Sequence, residues 1–390
     1  MDEEFLLLNP GPVRVSRAVL EAMAEPMVSH RSAAFGETYA RAQAGLEYVF
    51  EHSALDGSRT SAGGTTLVLN GTATMAMEAA VSNLVDPGDE VVSLVNGKFG
   101  ERFADIAGRY ADCTPVAVDW GEPFDLDAVA AAITDETALV TMVHNETSTG
   151  LLNPVEAVGE LAAAHDARFV VDGVTSLGGD EFLVDDWGVD VAVTDAQKAL
   201  AAPPGLSAMY LADHALDAID GDRGPYYHDL DWHVRKAADG QTPFTSAVPL
   251  FRAMAAAVDA IREEGMADRI ARHRRYAAAV RAGVTAFGLD PFPTLGPGSA
   301  YSNTVTAVAL PEPLVDDAGA FFDAVAERNV SIAGGQAHLG GRIFRVANMG
   351  ELSAEDVLRG VRTVGDALGD AGVDAPVDDG VAAAEAELSD

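Results

Sequence analysis

A chain of 390 residues that is 48% hydrophobic can bury a substantial core and form two or three domains, which excludes a disordered or fibrous polymer. A formal charge of −36 argues against nucleic acid or an anionic membrane as partner, because both call for clustered Lys and Arg. The single cysteine, Cys113, excludes an internal disulfide, a zinc–cysteine cluster and a CxxC redox pair, and no apolar run approaches the roughly 20 residues that span a bilayer.

Asp2, Glu3 and Glu4 precede a short apolar run, without the basic start of a signal peptide, so a cytoplasmic protein is expected. Between residues 65 and 211, β-rich apolar runs alternate with helical patterns. Strands are predicted at 65–69, 90–95, 115–118, 138–143, 168–171, 189–194 and 207–211, and helices at 73–84, 99–110, 126–133 and 154–165. Such alternation reads as βαβ units, and the nearly continuous apolar strands suit a largely parallel sheet covered on both faces. An Ala- and Arg-rich helical stretch follows over 249–287, with Gly265 as a break that could bridge two domains. After it come a strand at 303–310, a helix at 315–328 and Gly-rich turns at Gly334-Gly335 and Gly340-Gly341. Beyond residue 370 the chain is acidic and short of large apolar groups, which predicts a mobile tail. The expected division is an N-terminal arm (1–15), a large α/β domain (16–255), a small C-terminal domain (256–370) and a flexible acidic tail (371–390).

Only Lys98, Lys198 and Lys236 among the 25 basic residues are lysines, against 61 acids, a balance resembling proteins of salt-loving archaea. Salt adaptation explains it, since at molar salt the Debye length falls to about 3 Å and such a surface repels itself little; an acidic interaction surface is the alternative.

Three places carry chemistry. Asn70-Gly71-Thr72-Ala73-Thr74 joins a predicted strand to a predicted helix, where free N–H groups and the helix dipole suit a phosphate; an ordinary turn with a Thr cap explains it equally well. Asp172 follows Phe169-Val170-Val171 at a strand's carboxyl end, the side on which open α/β sheets bind ligands. It could hold a protonated pyridine nitrogen, or serve only as a turn carboxylate. Lys198 leaves the apolar run Val191-Ala192-Val193 by way of Thr194-Asp195-Ala196-Gln197. In a chain that prefers arginine, a lysine at a strand exit points to an amine that can lose its proton and form a Schiff base, against the alternative of a chance surface residue.

Together with further motifs, these residues resemble the class V aminotransferases of pyridoxal-phosphate fold type I, near the alanine–glyoxylate and serine–pyruvate aminotransferase group. The likeness runs from about Leu6 to Ala367. It is carried by Asn9-Pro10-Gly11-Pro12, Ser29-His30-Arg31-Ser32, Asn96-Gly97-Lys98-Phe99-Gly100, His144-Asn145-Glu146-Thr147-Ser148-Thr149-Gly150, Gln197-Lys198-Ala199-Leu200 with Pro203-Pro204-Gly205-Leu206, and Phe344-Arg345-Val346.

The resemblance implies an α/β fold: a large domain with a mostly parallel seven-stranded sheet and helices on both faces, plus a smaller α+β C-terminal domain. It implies pyridoxal 5'-phosphate bound to Lys198, which also moves the substrate proton, with Asp172 on the ring nitrogen. Phe99 would lie on the ring face and Thr147 near the phenolic oxygen. Thr72, Ala73, Thr74 and Gln197 would hold the phosphate, and Arg345, with Gly11 close by, the substrate carboxylate. His30 and Arg31 would be structural, near the substrate entrance. It implies transamination between alanine or serine and glyoxylate or pyruvate, in a homodimer with active sites at the interface.

Departures are visible. Ala73 stands where glycine is common, Ala196 replaces a frequent serine, and Thr242 stands where some members carry a tyrosine reaching the neighbouring subunit's phosphate, with Thr245 offering a hydroxyl instead. Donors such as ureidoglycine or aminoethylphosphonate remain alternatives. Desulfuration or another lyase step is disfavoured because Cys113 precedes a strand and no late loop carries a cysteine. A nucleotide-dependent oxidoreductase lacks its GxGxxG turn with a following acid, and a non-catalytic binder leaves Lys198, Asp172 and Arg345 unexplained.

Overall fold

In the computed structural model, which describes residues 5–61, 63–221 and 223–389, the alternating runs assemble into a seven-stranded sheet. Its strands in chain order are β1 (Thr65–Asn70), β2 (Glu90–Val95), β3 (Asp112–Ala117), β4 (Thr137–Val143), β5 (Arg168–Asp172), β6 (Val191–Asp195) and β7 (Leu206–Leu211). Across the sheet the order is β1-β7-β6-β5-β4-β2-β3, and neighbours are parallel except that β7 runs antiparallel to both β1 and β6. The two reversals cancel. Every strand but β7 therefore delivers its carboxyl end to one edge, where Asn70, Asp172 and Asp195 close β1, β5 and β6.

Phe169, Val170, Val171 and Val191 to Val193 are fully buried, as strands covered on both faces must be. By contrast β3 is half exposed and carries Pro115, which an outermost strand tolerates; it begins three positions before the predicted start because Asp112 pairs with Glu90. The covering helices include α1 (Ala33–Glu51), α2 (Ala73–Leu84), α3 (Lys98–Tyr110), α4 (Leu126–Ala132) and α5 (Val155–Ala163).

The predicted helical stretch is two helices, α6 (Val248–Glu264) and α7 (Met266–Ala286), divided at Gly265, whose φ of 84° suits glycine. Beyond them β8 (Val305–Ala309), β9 (Ala333–Gly334) and β10 (Ile343–Ala347) form an antiparallel sheet with β10 central, backed by α8 (Gly319–Glu327) and α9 (Ala354–Asp370) around a second core. Leu6 and Leu8 belong to that second core, and Leu6–Leu7 pairs in parallel with Val330–Ser331. The acidic Asp2, Glu3 and Glu4 lie outside the described residues.

One expectation fails. Instead of a mobile tail, Val377–Ser389 forms helix α10, with Ala384 fully buried. It docks through small residues: a Cβ on Gly380 would stand 2.1 Å from the Phe287 ring. Packing by Ala and Gly leaves no large-residue pattern for sequence to show.

A buried polar seam joins the two cores. The Asn145 amide nitrogen lies within hydrogen-bond distance of Ser302 Oγ (2.7 Å), Thr304 Oγ1 (2.9 Å) and Asp180 Oδ2 (3.1 Å), and the Thr304 hydroxyl donates to the Thr175 carbonyl.

Candidate active site

At the shared carboxyl edge, beneath the arm at Asn9-Pro10-Gly11 and facing β9 and β10, lies a cleft of about 330 Å³. Of the residues singled out from sequence, Gly11, Ala73, Thr74, Phe99, Thr147, Asp172, Gln197, Lys198 and Arg345 line it. Two do not. Thr72 caps α2 from an exposed position without a side-chain hydrogen bond, and Thr245 is exposed in the segment after Thr242. Arg31 has a structural role, donating to the carbonyls of Thr242 (2.9 Å) and Pro243 (3.1 Å).

Lys198 sits in the hairpin connection between β6 and β7. That connection is closed by hydrogen bonds from Ala196 N to Leu206 O (3.1 Å), Ala201 N to Lys198 O (2.9 Å) and Ala202 N to Ala196 O (2.9 Å). The lysine is 8% exposed, its ammonium donates to the Pro10 carbonyl, and among the described residues no carboxylate is within ion-pair distance. Burial lowers its pKa to about 8; Arg345 acts in the same sense, while Asp195, Asp172 and Glu146 oppose. Asp172, 4% exposed, accepts from Val174 N at 2.8 Å. Burial raises its carboxyl to about 7, helped by Glu146 and opposed by Lys198 and Arg102.

Arg345, also 4% exposed, projects from β10 and donates to the carbonyls of Gly334 (2.8 and 3.1 Å) and Thr147 (3.0 Å). Burial lowers its pKa to about 10, and among the described residues no acid pairs with it. A buried guanidinium hydrogen-bonded to carbonyls, with the Glu146 carboxylate acting on it from a distance, has the chemistry to take a carboxylate. Thr147 Oγ1 is 2.5 Å from Thr175 Oγ1. At Gly11 a Cβ would meet Gln197 Oε1 at 2.4 Å and the Lys198 chain at 3.0 Å; with φ at 117°, only glycine fits.

Three participants were not singled out from the sequence. Glu146 is fully buried, and its Oε2 accepts from Phe99 N and Gly100 N, both at 3.1 Å, so it fixes the start of α3 and the ring of Phe99. Arg102, one turn past Phe99, lies with its guanidinium 4.9 Å from that ring's centroid and donates to Thr74 Oγ1 at 3.1 Å. Asp195, the last residue of β6, accepts from Ala73 N at 3.0 Å. Its strand-end position, matching that of Asp172, was the available signal. Cys113 is far from this chemistry: its thiol donates to Ser93 Oγ on β2, and burial pushes its pKa up.

The residues fit a pyridoxal ring. A buried amine without an acid partner, a buried carboxylate, an aromatic side chain and an anion receptor meet in one cleft, and the carboxamide oxygens of Asn9, Gln197 and Gln336 are buried there without hydrogen-bond partners.

Comparison with known proteins agrees. The family model for Aminotransferase class-V matches residues 6–337, and the chain belongs to this family. It is a pyridoxal-phosphate-dependent transaminase. An uncharacterized aminotransferase of Methanocaldococcus jannaschii is 38% identical over 360 residues, 90% of each chain. The serine–glyoxylate aminotransferase of Arabidopsis thaliana is 32% identical, covering 98% of this chain and 94% of its own. The ureidoglycine–glyoxylate aminotransferase structure from Bacillus subtilis superposes with a TM-score of 0.88 at 28% identity, over 100% of this chain and 99% of that one.

Proposed function

We propose that the protein moves an amino group between alanine or serine and glyoxylate or pyruvate, with Lys198 as the covalent anchor of pyridoxal phosphate. The observation that carries this is the buried amine of Lys198, with no carboxylate in ion-pair distance among the described residues, sharing a cleft with Asp172 and Arg345. Bound there, the cofactor supplies an electron sink for the bonds at the substrate α-carbon. Asp172 holds the ring nitrogen protonated by presenting a carboxylate to it. Phe99 covers a ring face, and Thr147 approaches the phenolic oxygen. Arg345 orients the substrate by its α-carboxylate, with Gly11 allowing close approach. The Lys198 amine, lowered to about 8, takes and returns the proton at the α-carbon near neutral pH. Thr74, Ala73 and Gln197 face the phosphate.

The glyoxylate named for the Arabidopsis and Bacillus relatives supports that acceptor. A cleft of about 330 Å³ that must hold cofactor and substrate together supports a small donor. Ureidoglycine, named for the Bacillus protein, is the second donor to test.

We further infer a homodimer. Tyr226 is 77% exposed, and Tyr227 stacks on Phe244 at 4.6 Å beside the exposed Thr245, an aromatic surface suited to a second copy, with Thr245 reaching the neighbouring site. The acidic surface supports life in concentrated salt. Among the described residues no helix is long and apolar enough to cross a membrane, and a cytoplasmic setting is proposed.

A donor and acceptor screen in concentrated KCl tests the function, alongside borohydride reduction and peptide mapping. The expected result is cofactor fixed to Lys198 and turnover with alanine or serine; Lys198→Ala should abolish turnover in a folded protein. Reduction that labels another residue, or full activity in the variant, would overturn the assignment.

A further inference from the structure

The α2 end of the cleft departs from a simple helix-terminus anion site. The first turn of a helix offers free N–H groups to an anion. Here one of them, Ala73 N, is already held by the buried Asp195 carboxylate, which also accepts from Gln197 N at 3.3 Å. An acid at that position repels a second anion instead of inviting one.

Arg102 faces the same end from α3. One nitrogen donates to Thr74 Oγ1 at 3.1 Å, and its plane is steadied over Phe99. Among the described residues it makes no other hydrogen bond and no ion pair, so the rest of its fork is available to the cleft it lines. Lys198, Arg345 and Arg102 line the cleft together with Asp172 and Asp195, and Glu146 acts on the same amine. Removing Arg102 would take away the positive charge held at Thr74 and leave the Asp195 carboxylate on the Ala73 N–H.

We propose that Arg102, together with the Thr74 hydroxyl, carries the phosphate of the cofactor, because Asp195 occupies a backbone donor at α2 that would otherwise serve it. Phosphate recognition then depends on a side-chain charge and is weakened by the carboxylate beside it. This rests on the proposed attachment at Lys198. A purely structural Arg102 would only brace Phe99, and the two roles predict different selectivity.

The test is titration of the full chain, freed of cofactor, with pyridoxal phosphate and with pyridoxal, which keeps ring and aldehyde but lacks the phosphate. Schiff-base absorbance reports binding. For Arg102→Gln we expect pyridoxal phosphate to bind about tenfold or more weakly, the scale of one charge-assisted contact, with pyridoxal changed less than about twofold. Arg102→Lys should fall between wild type and Arg102→Gln, and Asp195→Asn should strengthen the phosphorylated aldehyde selectively. Equal weakening of both aldehydes in Arg102→Gln, or weaker phosphate selectivity in Asp195→Asn, would overturn the assignment. If pyridoxal reacts at Lys198 and Arg102 makes no difference, this inference fails alone; no reaction in wild type overturns the attachment as well.

Discussion

A lysine amine that burial brings to about pH 8 is half unprotonated where a surface lysine is almost wholly charged. Capture of pyridoxal phosphate requires the free amine, so its rate should climb through about pH 8 in stopped-flow absorbance. Asp195 holds that value up, and Asp195→Asn should move the midpoint lower; an upward shift would remove Asp195 from the amine's surroundings. For Arg345→Gln, steady-state kinetics should show the amino-acid KM raised roughly 10- to 100-fold, the loss of a charge-assisted pair. Asp180 gives a pH signature for stability. Burial raises its carboxyl from 3.8 to about 7, so the folded chain binds an extra proton at this group and the group's contribution to stability should fall as pH rises across that window. Asp172 shifts the same way and the buried His144 and His273 the opposite way, so the pH dependence of the difference in denaturant midpoint between wild type and Asp180→Asn isolates this contribution, on the order of a few kcal/mol. Lys198 and Asp172 were legible in the sequence because each follows an apolar strand, where a charge needs a reason, whereas Arg345 was named only through the family resemblance, the strand that carries it having no prediction of its own. Glu146 and Arg102 were not, because their roles arise from contacts across elements distant in the chain, whereas Asp195 shares the strand-end signal of Asp172.

Elements were legible where periodicity was strong. The seven strands and the break at Gly265 appear as expected, since continuous Val-rich runs and an isolated glycine are local signals. Helix α10 was hidden because its contacts run through Gly380 and Ala384, whose small side chains carry little hydrophobic signature. Its docking has a direct test. Gly380→Val should lower the thermal midpoint by forcing α10 off Phe287, at a cost of about 1–3 kcal/mol, and unchanged unfolding would mean that the helix is loosely held. A tighter case is Gly159 on α5, where a Cβ would stand 1.9 Å from the Trp187 carbonyl. Backbone cannot give way as a side chain can, so Gly159→Ala should destabilise at least as much in denaturant unfolding.

For the molecule as a whole, a charge of −36 sets the terms of stability. Self-repulsion reaches about 10 Å at 0.1 M salt and about 3 Å at 1 M, so the thermal midpoint should rise steeply over that range of KCl and then level off. A midpoint independent of salt would mean that the acidity serves a partner instead. The seam of Asn145, Asp180, Ser302 and Thr304 ties the two cores together directly behind Thr147, so loosening one core should also disturb the cleft.

The hairpin that carries Lys198 has a consequence for turnover. Its backbone is pinned to β7, closed on itself at Ala196 and Ala202, and gripped from α7 by Arg269, which donates to the Ala199 carbonyl at 2.6 Å. With its root immobilised, the amine can change position only by rotating its own methylenes. On the proposed attachment at Lys198, release and recapture would then call for a change in one side chain's rotamers, with the hairpin's hydrogen bonds left in place.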